Sequence, residues 1–172
     1  MPAHSDYFHL ATSWLLSPDI EGEHSNDPAD RGGDTWYGLS RSANPDMDWP
    51  PTKEHAVEAY HRKYWTACRC DELPPRLAIA LFDSAVQHGQ ITAIKLLQRT
   101  LRVKADGLIG PITISNANQQ TSTDLPLSDF LSHRGRYYSE IVVNDHSQRR
   151  FIRGWMRRLF LLQNMLLRIQ GD

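Results

Sequence analysis

Cysteine is nearly absent from this chain: two of 172 residues, both in the tripeptide Cys68-Arg69-Cys70. A bridge between positions two apart would close a strained ring, and two thiols are too few to hold a structural zinc. Both therefore read as reduced thiols near a helix end. No run approaches the roughly 20 apolar residues that a membrane-spanning helix needs. The first residues lack a basic stretch, and Asp6 precedes the short apolar run 11–16. A cleavable export signal is thus not expected, and synthesis in the cytoplasm is. Heptads, internal duplication, a glycine-rich phosphate loop and clusters with metal-ligand spacing are missing too. No metal, no cofactor and no nucleic-acid partner is expected.

What remains is ordinary in amount, with 40% hydrophobic and 23% charged residues. That is enough for one compact domain over 1–172, read as a monomer. The net charge of −1 hides a polarity. Asp6, Asp19, Glu21, Glu23, Asp27, Asp30, Asp34, Asp46 and Asp48 crowd the first fifty residues against Arg31 and Arg41 alone. Arg134, Arg136, Arg149, Arg150, Arg153, Arg157, Arg158 and Arg168 gather in the last quarter. An acidic end facing chemistry and a basic surface for an anionic partner is one reading of this; a merely solvated face is the other.

Periodicity predicts a mainly α chain. Tyr7 to Leu16 reads as a short helix closed by Ser17-Pro18. Residues 19–50 carry turn formers and little apolar period, so short extended pieces or a hairpin are expected there. Thr52 caps a helix to about Thr66, with Glu54 in its first turn. Further helices are expected over 76–87, with a narrow packing stripe at Leu77, Ala80, Leu81 and Ser84 or Ala85, and over 91–101. A tight turn at Asp106-Gly107 through Gly110-Pro111 precedes a short helix over 112–118, and 116–124 reads as a surface loop. Helices over 127–143 and 149–169 close the chain. In the last of these, Ile152, Trp155, Leu159, Leu162, Leu166 and Ile169 fall at spacings of three and four.

Hydrolysis of a glycosidic bond needs one carboxylic acid to protonate the leaving oxygen and a polar group across the sugar to place water or attack. Partial burial lets such an acid keep its proton near neutral pH. Glu21 follows a helix and stands beside Gly22, where the rim of a cleft is available to it. Asp30 or Thr35 can fill the second role. Residue type alone leaves Glu23, Asp27 and Asp34 as surface charge or turn formers.

The stretch Glu21-Gly22-x-x-Ser25-Asn26-Asp27-Pro28-x-Asp30-x-Gly32-Gly33-x-Thr35-x-Tyr37-Gly38-Leu39-Ser40 resembles the glycoside hydrolase family 108 signature, E-G-G-Y-x-N-D-P-x-D-x-G-G-x-T-x-x-G-I-T. The resemblance implies a lysozyme-like helical fold and a muramidase that cuts the β-1,4 bond between N-acetylmuramic acid and N-acetylglucosamine. Glu21 would be the catalytic acid. The order Glu21, Asp30, Thr35 is similar to the Glu–Asp–Thr triad of phage lysozymes, with Thr35 one residue early. On that analogy Asp30 and Thr35 position the attacking water. The chain departs from the family pattern at Glu23 and His24, where Gly and Tyr are usual. Gly33 and Gly38 are expected to let the sugar approach the backbone. Tyr37 is the first candidate to stack on a sugar ring, followed by Trp36 and Trp49.

The second half is similar to small peptidoglycan-binding modules through Leu97-Gln98-Arg99-x-Leu101-x-Val103 and Asp106-Gly107-Leu108-Ile109-Gly110-Pro111-x-Thr113. Phe82-Asp83-x-Ala85-Val86-x-His88-Gly89 precedes it. Asp83, in an apolar helix, reads as a structural acid; Gln87 and His88 are candidates to line a cleft. The resemblance divides the chain into a catalytic lobe, 9–87, and a peptidoglycan-binding-like helical region, 88–170. The setting expected is an endolysin released to periplasmic peptidoglycan, with a secretion-associated muramidase as the neighbouring alternative. A lytic transglycosylase or a non-catalytic wall-binding protein are the other readings. The basic C-terminal helix, with Arg149, Arg150, Arg153, Arg157 and Arg158 among Phe151, Trp155 and Phe160, is a candidate contact for anionic membrane or lipopolysaccharide.

Overall fold

The computed structural model describes residues 4–22, 24–26, 34–120 and 125–169. The chain is mainly helical, as expected, with one small sheet inside the segment 19–50. It forms two compact units, residues 1–65 and 66–172. The sequence suggested a lobe boundary near residue 88. The helix over 75–88 packs on the later helices and so belongs to the second compact unit.

In the first unit, α1 (His4–Leu15) leads into the turn that carries Glu21. A sheet of three antiparallel strands follows: β1 (His24–Asn26), β2 (Asp34–Trp36) and β3 (Leu39–Ser40). The helix α2 (Lys53–Tyr60) begins at Thr52, whose side chain accepts a hydrogen bond from the His55 amide at 3.2 Å. That is the expected cap. The helix then widens into a π turn, His61–Thr66. Phe8 of α1 packs edge-on against His61 and Trp65, with ring centroids 4.7 and 5.4 Å apart.

In the second unit, a short 3-10 turn (Cys70–Glu72) precedes α3 (Pro75–His88). Cys68 and Cys70 are free and buried. Burial pushes the Cys68 thiol up to about 12. Pro75 opens α3 where a missing N–H does no harm. The narrow stripe expected on α3 is instead burial all round: every residue from Leu77 to Ala85 is inaccessible. The reason is its central place, packed against α4 (Gln90–Thr100), α6 (Leu125–Asn144) and α7 (Ile152–Leu166). Gly89, with φ of +80°, separates α3 from α4 in a conformation that L side chains resist.

The turn after α4 is built on one buried side chain. The Gln98 amide donates to Asp106 Oδ1 at 2.8 Å and to the Leu108 carbonyl at 3.0 Å, and its oxygen accepts from the Gly107 amide at 2.8 Å. The helix α5 (Pro111–Gln119) runs further than the sequence suggested. Its asparagines stay helical by bonding back one turn: Asn116 and Asn118 donate to the carbonyls of Ile112 and Ile114. Another 3-10 turn (His146–Phe151), capped by Asp145, precedes α7, which buries Leu159, Leu162 and Leu166. Ile152, Trp155 and Ile169 are only half-buried, so the apolar stripe of this helix is shorter than expected. No helix among the described residues is long and apolar enough to cross a membrane.

Candidate active site

Glu21 sits in a compact turn that closes α1. Its amide donates to the Leu15 carbonyl at 3.2 Å, and the Gly22 amide donates to Ser17 at 3.2 Å. Gly22 has φ of +68°, which frees the chain to leave the turn at once. The Glu21 side chain is half-buried.

The hairpin between β2 and β3 comes up against it. Trp36 pairs with Leu39 across a two-residue loop, Tyr37-Gly38, in which both residues have positive φ, 51° and 75°. Such a loop matches the twist of a tight hairpin, and a glycine at its second position is the ordinary choice. A tyrosine at the first is not. An ordinary residue in the left-handed region is strained, and such strain clusters at functional sites. The Tyr60 hydroxyl of α2 holds it, donating to the Tyr37 carbonyl at 2.8 Å. Gly38 is the close-approach position: a Cβ there would lie 2.6 Å from the Tyr60 hydroxyl and 3.0 Å from Glu21 Oε2.

The π turn supplies a second phenol. Its extra residue per turn realigns the helix face, a feature frequent at functional sites. Tyr64 is packed 5.8 Å from the Tyr60 ring. Burial pushes its phenol above the usual range, and the negative charge of Glu21 adds to that. Glu21, Gly38, Tyr60 and Tyr64 thus form one constellation within the first unit.

Thr35 lies in the centre of β2, opposite Ser25 on β1 and Ser40 on β3. Strand alternation turns it to the face away from Asp34 and Trp36. On that other face Asp34 is clamped: the Trp49 indole N–H donates to Oδ2 at 2.6 Å, and His24 Nε2 lies 2.9 Å from Oδ1. The bonds from Trp49 and then His24 hold the Asp34 carboxyl below its ordinary range. His24 also lies against the Trp36 ring, 4.4 Å between centroids. Asp30 and Gly33, with Glu23, Asp27 and Gly32, lie outside the described residues.

In the second unit, Gln87 is engaged rather than open-handed. Its carbonyl oxygen accepts from the Tyr138 hydroxyl at 2.6 Å and from Arg134 Nη2 at 3.0 Å. Beside it Asp83 receives Arg134 at 2.8 Å and Arg158 at 2.7 Å, the structural role expected of it. Burial opposes its charge, but the two guanidiniums outweigh burial and hold the carboxyl below its ordinary range. Arg158 is therefore occupied inside the unit. Burial pushes the His88 imidazole down to about 3, leaving it neutral.

Sequence reasoning missed Tyr60, Tyr64 and the Asp34 clamp. The two tyrosines were visible only as apolar positions on a helix, and nothing local links them to Glu21.

Comparison with known proteins divides the chain near residue 90. Residues 17–89 match the family model described as glycosyl hydrolase 108. Residues 92–160 match the model described as a predicted peptidoglycan domain. The solved structure of Brucella abortus SagA is similar, with a TM-score of 0.83 at 24% identity, covering 98% of this chain and 98% of that one. No curated protein matches the chain.

Proposed function

We propose that this chain, a glycosyl hydrolase 108 protein that acts on peptidoglycan, is an N-acetylmuramidase with Glu21 as its general acid. The bond cut is the β-1,4 link between N-acetylmuramic acid and N-acetylglucosamine. Glu21 gives its proton to the glycosidic oxygen as the bond to the anomeric carbon breaks. Water adds to that carbon from the other face, positioned by Asp30 and Thr35, and its proton passes to Asp30. The observation that carries this reading is the packing of Glu21 against Gly38, beside Tyr60 and Tyr64. A side chain on Gly38 would fill the space the carboxyl uses.

Tyr37, Trp36 and the backbone at Gly33 and Gly38 bind the sugars in this reading, aromatic faces against ring faces. Gln87 fixes its neighbours through Arg134 and Tyr138 and takes part in binding only if those bonds exchange for sugar hydroxyls. The setting is that of an endolysin, a monomer released to the periplasmic wall.

The test is mass spectrometry of purified walls after digestion. Hydrolysis gives reducing N-acetylmuramic acid ends. Anhydro ends as the main product would make the chain a lytic transglycosylase instead.

Contact with anionic envelope surfaces belongs to the same reading. Phe151 and Phe160 remain exposed, 41% and 56%, near Arg149, Arg150 and Arg153, and the Arg150 guanidinium lies 4.6 Å over the Phe151 ring. Basic residues with exposed aromatics suit an anionic interface. Full-length protein should sediment with vesicles of anionic lipid and not with neutral ones; equal sedimentation removes this part.

A further inference from the structure

Between α4 and α6 of the second unit lies a cavity of about 220 Å³, lined by Leu96, Arg99, His133, Arg136, Tyr137 and Glu140. We propose that this cavity is a carboxylate-binding site that takes the free carboxylate of a wall peptide. The inference rests on peptidoglycan being the substrate, and it adds the peptide stem to the glycan as something the chain reads.

Size comes first. Ligand pockets commonly span roughly 300–1,000 Å³, so this one takes a residue-sized group rather than a stretch of sugar chain. Leu96 is buried and gives the floor. The Tyr137 ring, set edge-on to His88 at 5.0 Å, gives a fixed aromatic wall.

Charge then selects the ligand. The Arg99 guanidinium has no ion pair or hydrogen bond among the described residues, although it edges the cavity. Arg136 is held by Glu140 at 3.0 Å, with 75% of its side chain exposed. Two guanidiniums and one carboxylate leave a single positive charge beside His133. That balance suits a carboxylate, which a guanidinium fork can hold through two parallel bonds. A phosphate dianion is matched less well, because Glu140 stands on the same rim. All six lining residues fall within 92–160, the segment similar to a predicted peptidoglycan domain.

The experiment uses the full chain with Glu21→Gln, so that wall fragments are bound and not consumed. Binding is measured in solution by calorimetry, with soluble wall fragments that keep their peptides and with the same fragments after an amidase has removed them. The expected result is binding to the intact fragments about tenfold tighter than to the stripped ones, with the difference lost on adding Arg99→Gln. Arg136→Gln should narrow the difference in the same direction. N-acetyl-D-alanyl-D-alanine should compete, and its C-terminal amide should not. Equal binding to both kinds of fragment, or an unchanged preference in both arginine variants, overturns the proposal. Competition by inorganic phosphate at the strength of the dipeptide acid also overturns it, and assigns the cavity to phosphate. Failure here is separable from failure of the muramidase reading, which is read from product ends made by the unsubstituted chain.

Discussion

Glu21 and Gly38 are in contact across the first unit: a Cβ built on Gly38 would lie 3.0 Å from both Cγ and Oε2 of Glu21. The same atom would reach to 2.6 Å from the Tyr60 hydroxyl, and the glycine has φ of +75°. One position therefore answers to backbone conformation, to the tyrosine that holds the hairpin, and to the acid.

Gly38→Ala tests that contact against a control in the same turn system. Gly22 has φ of +68° but nothing within 4 Å of its missing Cβ. Gly22→Ala should cost only the left-handed backbone, about 1 kcal/mol. Gly38→Ala should cost more, about 2–4 kcal/mol, because neighbours must also move. Denaturant unfolding of both variants checks this. Equal losses would mean that the approach to Glu21 and Tyr60 is loose.

Tyr60→Phe removes the donor to the Tyr37 carbonyl while keeping the ring. With the donor bond of 2.8 Å gone, stability should fall by about 1–3 kcal/mol, the cost of leaving a partly buried acceptor unmade. Wall hydrolysis should drop further than stability does, since the strained Tyr37-Gly38 turn loses its tie. A variant with parental activity and parental melting would remove Tyr60 from the account.

Asp83 lies in the second unit with its side chain 1% exposed, between the fully buried Arg134 and the 12% exposed Arg158. Asp83→Ala leaves two guanidiniums without their counter-charge, at a cost of roughly 3–5 kcal/mol. Urea titration reads it. A loss below about 1 kcal/mol would place the pair among weak surface bridges.

His88 gives the acid limb of stability. Burial, helped by the Arg134 charge, pushes its imidazole from 6.5 down to about 3. Its Nε2 is buried with no partner among the described residues. The unfolded chain takes up this proton first, so the contribution is complete above pH 6.5 and shrinks as pH falls towards 3. The slope is roughly 1.4 kcal/mol per pH unit. Between neutral pH and mildly acid pH, His88→Gln should therefore lose less stability than the parent. Identical losses in the two proteins would contradict it.

Much of the helical frame was legible because its signals are local. Thr52 caps the helix it was expected to cap, and Asp106-Gly107 makes the turn its residues announce. The motif around Glu21 was legible as a resemblance. What escaped was long-range. Tyr60 and Tyr64 meet Glu21 and Gly38 only after the chain has folded, and period alone assigns them to packing. Tyr37 at positive φ escaped because tyrosine carries no turn preference; the hydroxyl of Tyr60 imposes it. Asp34 looked like any acid of a turn-rich loop, and only Trp49 and His24 distinguish it. The all-round burial of α3 was hidden because small and large apolar residues alternate with Asp83 and Ser84, whose polarity mimics an exposed face.

The central claim is tested most directly by Glu21→Gln, with lysis of outer-membrane-stripped cells and the ends of the released glycans both measured. A Gln keeps the shape and removes the proton to be donated. Lysis should slow by about 10²–10⁴-fold, the range for loss of general acid catalysis, with folding and wall sedimentation unchanged. Parental lysis by this variant, or anhydro ends as the parent's main product, would contradict the account.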